Sequence, residues 1–284
     1  MKIGLASVVI VSVLSLFLAA TIARPLRRLT RIAERIAAGE RAQPIAMRRR
    51  DEIGQLARAV DRMTRELDRR ACDLRDLAAD ISHEFRSPLT GIRGAAELLR
   101  DGAFADPDAR DRFLAMILDD AARLDRIVSR LFELARVEDD QSILLPVDLG
   151  AIARTVAARP WPVAVEVAVT SDPIVQARKA QLTAALENLV ANATEFAEDD
   201  SPVTIRIAGR RITVENRGPA LSAAAQRKVW GRFYSTRTAS GGTGLGLAIV
   251  RSVALAHGGS VGVRCAAGIT AFWIELGEGS DTTT

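Results

Sequence analysis

The sequence predicts a multidomain chain: one membrane-spanning helix, a long all-α hairpin, and a mixed α+β domain toward the C-terminus. Three observations carry the prediction. Residues 3 to 23 hold no charge, apolar residues then recur at alternating steps of three and four, and after Pro146 the alternation drops to period two. At 284 residues, with 48% apolar and 26% charged side chains, the chain has room for two or three modules with buried cores and is too apolar to be disordered.

The first run, "IGLASVVIVSVLSLFLAATIA", supplies the roughly 20 apolar residues that a helix needs to cross a bilayer. Its "AATIA" end offers the small residues of a cleaved signal peptide, but the charges are reversed for one: a single Lys2 precedes the run and an arginine cluster follows it. That cluster holds Arg24, Arg27, Arg28, Arg31, Arg35, Arg41, Arg48, Arg49 and Arg50 against only Glu34 and Glu40. Basic residues gather on the cytoplasmic side of a membrane. A retained single-pass anchor in the inner (cell) membrane is therefore expected, with the N-terminus outside and everything from residue 24 onward in the cytoplasm. The net charge of +4 is modest for this length, so the cluster reads as juxtamembrane and no direct nucleic acid partner is expected. Cys72 and Cys265 fall in different modules, which argues against a disulfide and for a reducing compartment.

From Leu26 the positions Leu26, Leu29, Ala33 and Ile36 lay one stripe along a helix that Gly39 and Pro44 should end. A second series, Ile53, Leu56, Val60, Met63, Leu67, Ala71, Leu74, Ala78, Ile81 and Phe85, keeps the 3-4 alternation without a slip, which is the seam of a coiled coil or helical bundle. "DGAFADPDA", residues 101 to 109, interrupts it, and a third stripe follows: Leu114, Ile117, Ala121, Leu124, Val128, Leu131, Ala135. Two long helices joined by a short turn make an antiparallel hairpin. Neither stripe is buried by the hairpin alone, so pairing with a second copy into a four-helix bundle is expected. The charged faces of these helices read as solvated surface.

Past Pro146 the segments 163 to 170, 203 to 209, 211 to 216, 260 to 265 and 270 to 276 alternate like strands, while residues 178 to 197 and 243 to 256 look helical. "AGRRI" marks a hairpin turn. The tail "GEGSDTTT" has nothing to bury and is expected to be disordered.

Four stretches can carry chemistry. In "GGTGLGLAIV" the glycines 242, 244 and 246 lead into an apolar helix, and exposed amides at a helix start bind anions; the loop lies too late in the chain for a dinucleotide fold. In "ALENLVANATEF" Asn188 and Asn192 stand four apart on one helical face, either as two oxygen donors for a hard cation or as ordinary solvated amides. Asn216 ends a strand before Gly218 and Pro219, and such a side chain hydrogen-bonds either an adenine edge or its own turn. "DISHEFRSPLTG" puts His83 and Glu84 on the helical seam, with Pro88 expected to kink the helix beside them. His257, in "AHGGS" at a helix end before two glycines, reads as a capping or packing histidine.

Taken together and in order, "SHEFRSPLTGIRG", "NLVANATEF", "ENRGPA", "VWGRFYS" and "GTGLGLAIV" resemble the H, N, G1, F and G2 boxes of the sensor histidine kinases of two-component systems. "RPLRRLTRIAERIAAGE" followed by "DEIGQL" is similar to a HAMP signalling linker, so the resemblance covers residues 24 to about 277. Beside the anchor read at 1–23 and the tail at 278–284, it implies a HAMP linker at 24–72, a dimerisation and histidine phosphoacceptor domain of the HisKA type at 73–140, and a two-layer α+β sandwich of the GHKL ATPase type at 145–277.

The same resemblance implies roles. His83 is the phosphoacceptor, Glu84 the carboxylate that assists proton removal, and Ser87 occupies the position of the family's phosphatase motif. Asn192, with Asn188, holds Mg2+ against ATP; Asn216 and Gly218 fall at the adenine box; Arg232, Phe233 and Tyr234 fall where the lid is anchored. Gly242, Gly244 and Gly246 cradle the phosphates, and Thr243, Leu245 and Leu247 between and after them belong to the same ATP-binding box. Three positions depart from the pattern: Asn216 stands where aspartate is usual, Ala220 replaces a glycine, and Glu195 replaces a basic residue. A carboxylate near a triphosphate weakens binding unless Lys228 or Arg237 reaches the γ-phosphate. The implied protein is a homodimer that phosphorylates itself from ATP and passes the phosphoryl group to a response-regulator aspartate. The alternative is a catalytically weak nucleotide-binding adaptor, or a phosphatase-biased member, that signals through dimer conformation.

Overall fold

The computed structural model of the chain describes residues 2–38, 49–102, 106–140, 142–171, 174–198, 201–235 and 242–277, with side chains from Ile10 onward. The predicted helix stop at Gly39 and Pro44, Arg237 and the tail at 278–284 lie outside the described residues. The chain divides into two units, Met1–Ala79 and Asp80–Thr284.

In the first unit α1 (Lys2–Leu18) continues through one π-helical turn, Ala19–Ala23, into α2 (Arg24–Ala37). Pro25 explains the wide turn. It has no N–H for the carbonyl of Thr21 and its ring crowds that carbonyl, and the backbone opens so that Arg24 N–H reaches Ala19 O. The carbonyl of Thr21 accepts instead from Arg49 Nη1 at 2.8 Å. Between Ile10 and Ala37 the helix is long and apolar enough to cross a membrane, with a mean hydropathy of 1.5 in its most apolar window.

Helix α3 (Glu52–Arg100) starts at a capped end. Asp51 Oδ1 accepts from Gly54 N–H at 3.0 Å, and Arg49 Nε and Nη2 donate to Asp51 Oδ2 at 3.0 and 2.5 Å. These bonds, Arg49's first, hold the Asp51 carboxyl at about 2. Gly54 is needed here, because a Cβ would stand 2.2 Å from the Arg49 carbonyl oxygen. Further along the same helix the seam residues Met63, Leu67 and Leu74 are exposed in the single chain, at 52%, 48% and 66%.

In the second unit Pro88 does not interrupt α3, which stays helical from Glu52 to Arg100. The proline withholds only the N–H that the Glu84 carbonyl would accept, and the turns on either side carry the helix through. Helix α4 (Pro107–Asp139) begins with proline at its first position and with Asp106 Oδ1 accepting from the amides of Asp108 and Ala109. The two helices approach closely at Gly91, where a Cβ would stand 2.2 Å from Asp120 Oδ2.

The remainder is a two-layer α+β sandwich. Its elements run β1 (Leu145–Asp148), α5 (Leu149–Ala157), β2 (Val165–Val169), β3 (Ile174–Ala177), α6 (Lys179–Glu195), β4 (Val203–Ala208), β5 (Arg211–Arg217), α7 (Ala223–Lys228), α8 (Gly246–Ala256), β6 (Ser260–Ala266) and β7 (Ile269–Glu275). The main sheet has the order β2-β4-β5-β7-β6, with β2 and β4 parallel and the other pairs antiparallel; β1 and β3 pair separately. The hairpin turn between β4 and β5 is the one predicted, with Gly209 at φ 58. One sheet face alternates inward with Ile205, Ile207, Ile212, Val214 and Ile274, all fully buried under α5, α6 and α8. The other face is polar: Arg206 pairs with Glu215 at 3.1 Å, and Arg211 pairs with Glu275 and stacks on Trp273 at 5.5 Å.

The sequence reading missed β1, β3, α5 and α7. The two strands are four residues each, too short to show a period, and α5 is a nine-residue helix whose cap, Asp148 Oδ1 to Ala151 N–H at 3.0 Å, is its clearest signal.

Candidate functional site

A cavity of about 210 Å³ opens on the α/β domain beside α6, the end of β5 and the start of α8. Its apolar wall is built from Leu221, Val229 and Phe272, the last held edge-on by Trp230 at 5.7 Å. A flat apolar ring fits such a wall. At its polar edge stands Asn216, 4% exposed, whose Nδ2 donates to the carbonyls of Phe196 at 3.1 Å and Arg217 at 3.2 Å. Both amide hydrogens are thereby spent, and Oδ1, which makes no hydrogen bond to the described residues, is left as an acceptor at the cavity. Gly218 belongs to the same turn, since a Cβ there would lie 2.1 Å from the Phe196 carbonyl oxygen.

Across the cavity α8 begins without any side-chain cap, so its first amides are unspent and its dipole points at the cavity. Gly242, Thr243 and Gly244 line the approach to it. Gly244 has φ 64, and a Cβ there would stand 2.5 Å from the backbone carbon of Phe233. Gly246 meets α6: its virtual Cβ lies 3.0 Å from Asn188 Oδ1. Asn188 is 6% exposed and donates through Nδ2 to Ala184 O at 2.9 Å and to Glu133 Oε1 at 3.4 Å, which leaves Oδ1 toward the start of α8. Asn192 lines the same wall one turn on, and its side chain makes no hydrogen bond to the described residues. Two carboxamide oxygens of this kind suit a hard cation that keeps most of its ligands as water and phosphate.

The predicted site residues therefore separate. Asn188, Asn192, Asn216, Tyr234, Gly242, Thr243, Gly244, Gly246 and Leu247 line the cavity. Leu245 is fully buried behind it as the residue before α8, and Gly218, Lys228, Arg232 and Phe233 are not among its lining. Lys228 is exposed on α7, and Arg232 Nη2 donates to Glu138 Oε1 on α4 at 3.3 Å.

On the hairpin His83 and Ser87 are exposed on α3, and Glu84 is half-buried, its Oε2 accepting from Arg123 Nη2 of α4 at 3.4 Å. His257 is buried elsewhere, as its sequence setting suggests. Its Nδ1–H donates to Val253 O at 2.8 Å while Nε2 accepts the Arg178 amide at 3.0 Å, which ties α8 to the start of α6. Burial holds its pKa below the ordinary value, outweighing the bond to Val253.

Sequence reasoning missed the face of α4 that meets the α/β domain. Leu134 and Val137 are buried in that domain's core, and three charged neighbours reach across. Glu133 bonds Asn188 and Arg130, Glu138 takes Arg232 and Ser252 Oγ at 3.4 Å, and Arg130 lines the cavity itself. The signal was a second 3-4 stripe, Ile127, Arg130, Leu134, Val137, hidden beside the seam of Leu124, Val128 and Leu131.

Comparison with known proteins agrees along the chain. Residues 73–140 match the His Kinase A (phospho-acceptor) domain, residues 177–280 the histidine kinase-, DNA gyrase B- and HSP90-like ATPase, and residues 17–69 the HAMP domain. The sensor protein ChvG of Agrobacterium fabrum is 33% identical over 285 residues, covering 91% of this chain and 47% of that protein. The sensor histidine kinase MtrB of Mycobacterium tuberculosis is 30% identical over 302 residues, covering 98% and 51%. The chain thus spans about half the length of these curated relatives. Among solved structures, histidine kinase ThkA in complex with response regulator protein TrrA matches with a TM-score of 0.59 at 23% identity, over 75% of this chain and 64% of that one. Acinetobacter baumannii histidine kinase AdeS matches at 0.52 and 22%, over 69% and 98%. At those identities the two structures speak for the fold.

Proposed function

Because the chain belongs to the sensor histidine kinases of two-component systems, we propose that it is a membrane-anchored, ATP-dependent protein-histidine kinase that phosphorylates His83 and passes the phosphoryl group to a response-regulator aspartate. The observation that carries the reading is the cavity: an apolar slot with one open acceptor at Asn216 faces the uncapped start of α8, which suits a purine at one end and phosphate at the other.

In this reading the purine lies against Phe272 and donates from its exocyclic amine to Asn216 Oδ1. The phosphates meet the amides of Gly246 and Leu247 behind the Gly242–Gly244 loop. Asn192, with Asn188, would hold Mg2+, which would neutralise the triphosphate; as the His83 nitrogen bonds to the γ-phosphorus, the bond to the β–γ bridging oxygen breaks and ADP leaves. His83 is the nucleophile, and its exposure on α3 is what a donor site on another domain and an acceptor on another protein both require. Glu84 accepts the imidazole proton and is oriented by Arg123. The exposed seam at Met63, Leu67 and Leu74 is then covered by a second copy in a homodimer. The division at residues 23, 72 and 140, the single span and the cytoplasmic side of the catalytic domain belong to the same proposal.

Glu195 on the cavity wall favours a second reading, a nucleotide-binding adaptor with little transfer. One assay separates them. The chain incubated with γ-labelled ATP and magnesium should acquire acid-labile, alkali-stable label that His83→Ala abolishes. Label retained in that variant would sink the assignment, and ATP binding without label would favour the adaptor.

A further inference from the structure

The charges around the cavity are few. Among its described lining residues Arg130 has the one cationic side chain and Glu195 the one anionic. Arg130 does not come from the ATPase domain. It sits on α4, in the stripe of Ile127, Leu134 and Val137 whose last two members are buried in that domain's core. Its Nη1 donates to Glu133 Oε2 at 2.7 Å, and Glu133 Oε1 in turn takes Asn188 Nδ2 at 3.4 Å. Apart from that one bond the guanidinium donates to no described residue, so an arginine that lines the cavity keeps donors to spare.

We propose that Arg130 is a phosphate-binding residue of the nucleotide site, delivered by the hairpin and standing in for the positive charge that Glu195 takes away. The inference rests on the reading of the cavity as an ATP site. An arginine is the side chain whose fork matches phosphate oxygens, and in a site otherwise lined by neutral groups and one carboxylate it has no cationic rival among the described residues. The consequence is that the nucleotide site is complete only while α4 is docked. Phosphate and Glu133 compete for one guanidinium, and Glu133 is the same carboxylate that holds Asn188. Arrival or loss of the γ-phosphate is therefore coupled, through two hydrogen bonds, to the helix that pairs with the one carrying His83.

The test uses the full chain in detergent micelles, with ATP, ADP and adenosine titrated in the presence of magnesium. Arg130→Ala should weaken ATP binding about tenfold, the loss of one partly exposed charge-assisted contact, and leave adenosine unchanged. Arg130→Lys should recover part of the loss, and Glu195→Lys added to Arg130→Ala should recover most of it. Glu133→Gln distinguishes a direct contact from a tether. With a direct contact it frees the guanidinium and ATP binds at least as tightly; if Arg130 only steadies Asn188 through Glu133, Glu133→Gln weakens ATP as Arg130→Ala does. Equal ATP affinity in wild type and Arg130→Ala, or the tether pattern, would overturn the proposal. Wild-type chain that binds neither ATP nor adenosine would instead remove the ATP reading on which it stands.

Discussion

Asn216→Asp tests the proposed adenine edge most sharply, because it installs the aspartate usual at that box where this structure disfavours it. Asn216 is nearly buried and gives both its amide hydrogens to backbone carbonyls, at 3.1 and 3.2 Å. A carboxylate has no hydrogen to give, and at those distances would set negative oxygen against two carbonyl oxygens. Losing two neutral hydrogen bonds costs about 1–3 kcal/mol, and the unfavourable contacts bring the expected loss to about 3 kcal/mol. For a domain of this size that is a fall of about 10 °C in the melting midpoint. The assay is calorimetry of the full chain, following the transition that ATP raises. The gap should narrow at low pH, since burial against carbonyls raises the new carboxyl's pKa and its neutral form donates one bond. A variant melting within about 1 °C of the parent at pH 8 would refute the argument. It would mean that the bonds from Nδ2 to the two carbonyls contribute nothing to the fold.

His257 makes stability fall with acid. Its folded pKa is lowered by burial, so the folded chain binds its proton less readily than the unfolded chain, whose imidazole titrates near about 6.5. Its contribution is full above that value and is lost as pH falls below it toward the folded pKa; His257→Gln should flatten this part of a midpoint-against-pH curve measured between pH 8 and 5. Gly244→Ala should cut ATP affinity at least tenfold by titration calorimetry, because the added methyl meets the Phe233 backbone as well as the left-handed strain. Gly258→Ala is the matched control: it has φ 65 but nothing within 4 Å, so it should cost about 1–2 kcal/mol of stability without touching nucleotide binding.

What the sequence showed and hid follows from how many jobs each segment has. Helix α3, the five strands of the main sheet and the cavity asparagines were legible because one face does one thing, so a period or a box stands clear. Helix α4 has two apolar stripes a residue or so apart, and reading one as the seam consigns Arg130, Glu133 and Glu138 to the solvent. Those three turn out to face another domain. Pro88 leaves α3 helical over all 49 residues, with the turns on either side carrying the helix past the missing N–H. Arg232 sits in a box that matches by order, yet order along a chain does not name the partner it takes on α4.

Pro25 gives one distant arginine two partners. The acceptor it leaves open at Thr21 is closed by a guanidinium 28 positions later, and the same guanidinium grips Asp51 at the head of the next helix. One arginine thus ties the π-helical turn to the start of α3. Lysine could not replace it, because a single ammonium cannot spread three nitrogens over a carbonyl and a carboxylate as the planar fork does. The proline's missing donor is therefore made good by a side chain that also fixes where the next helix begins.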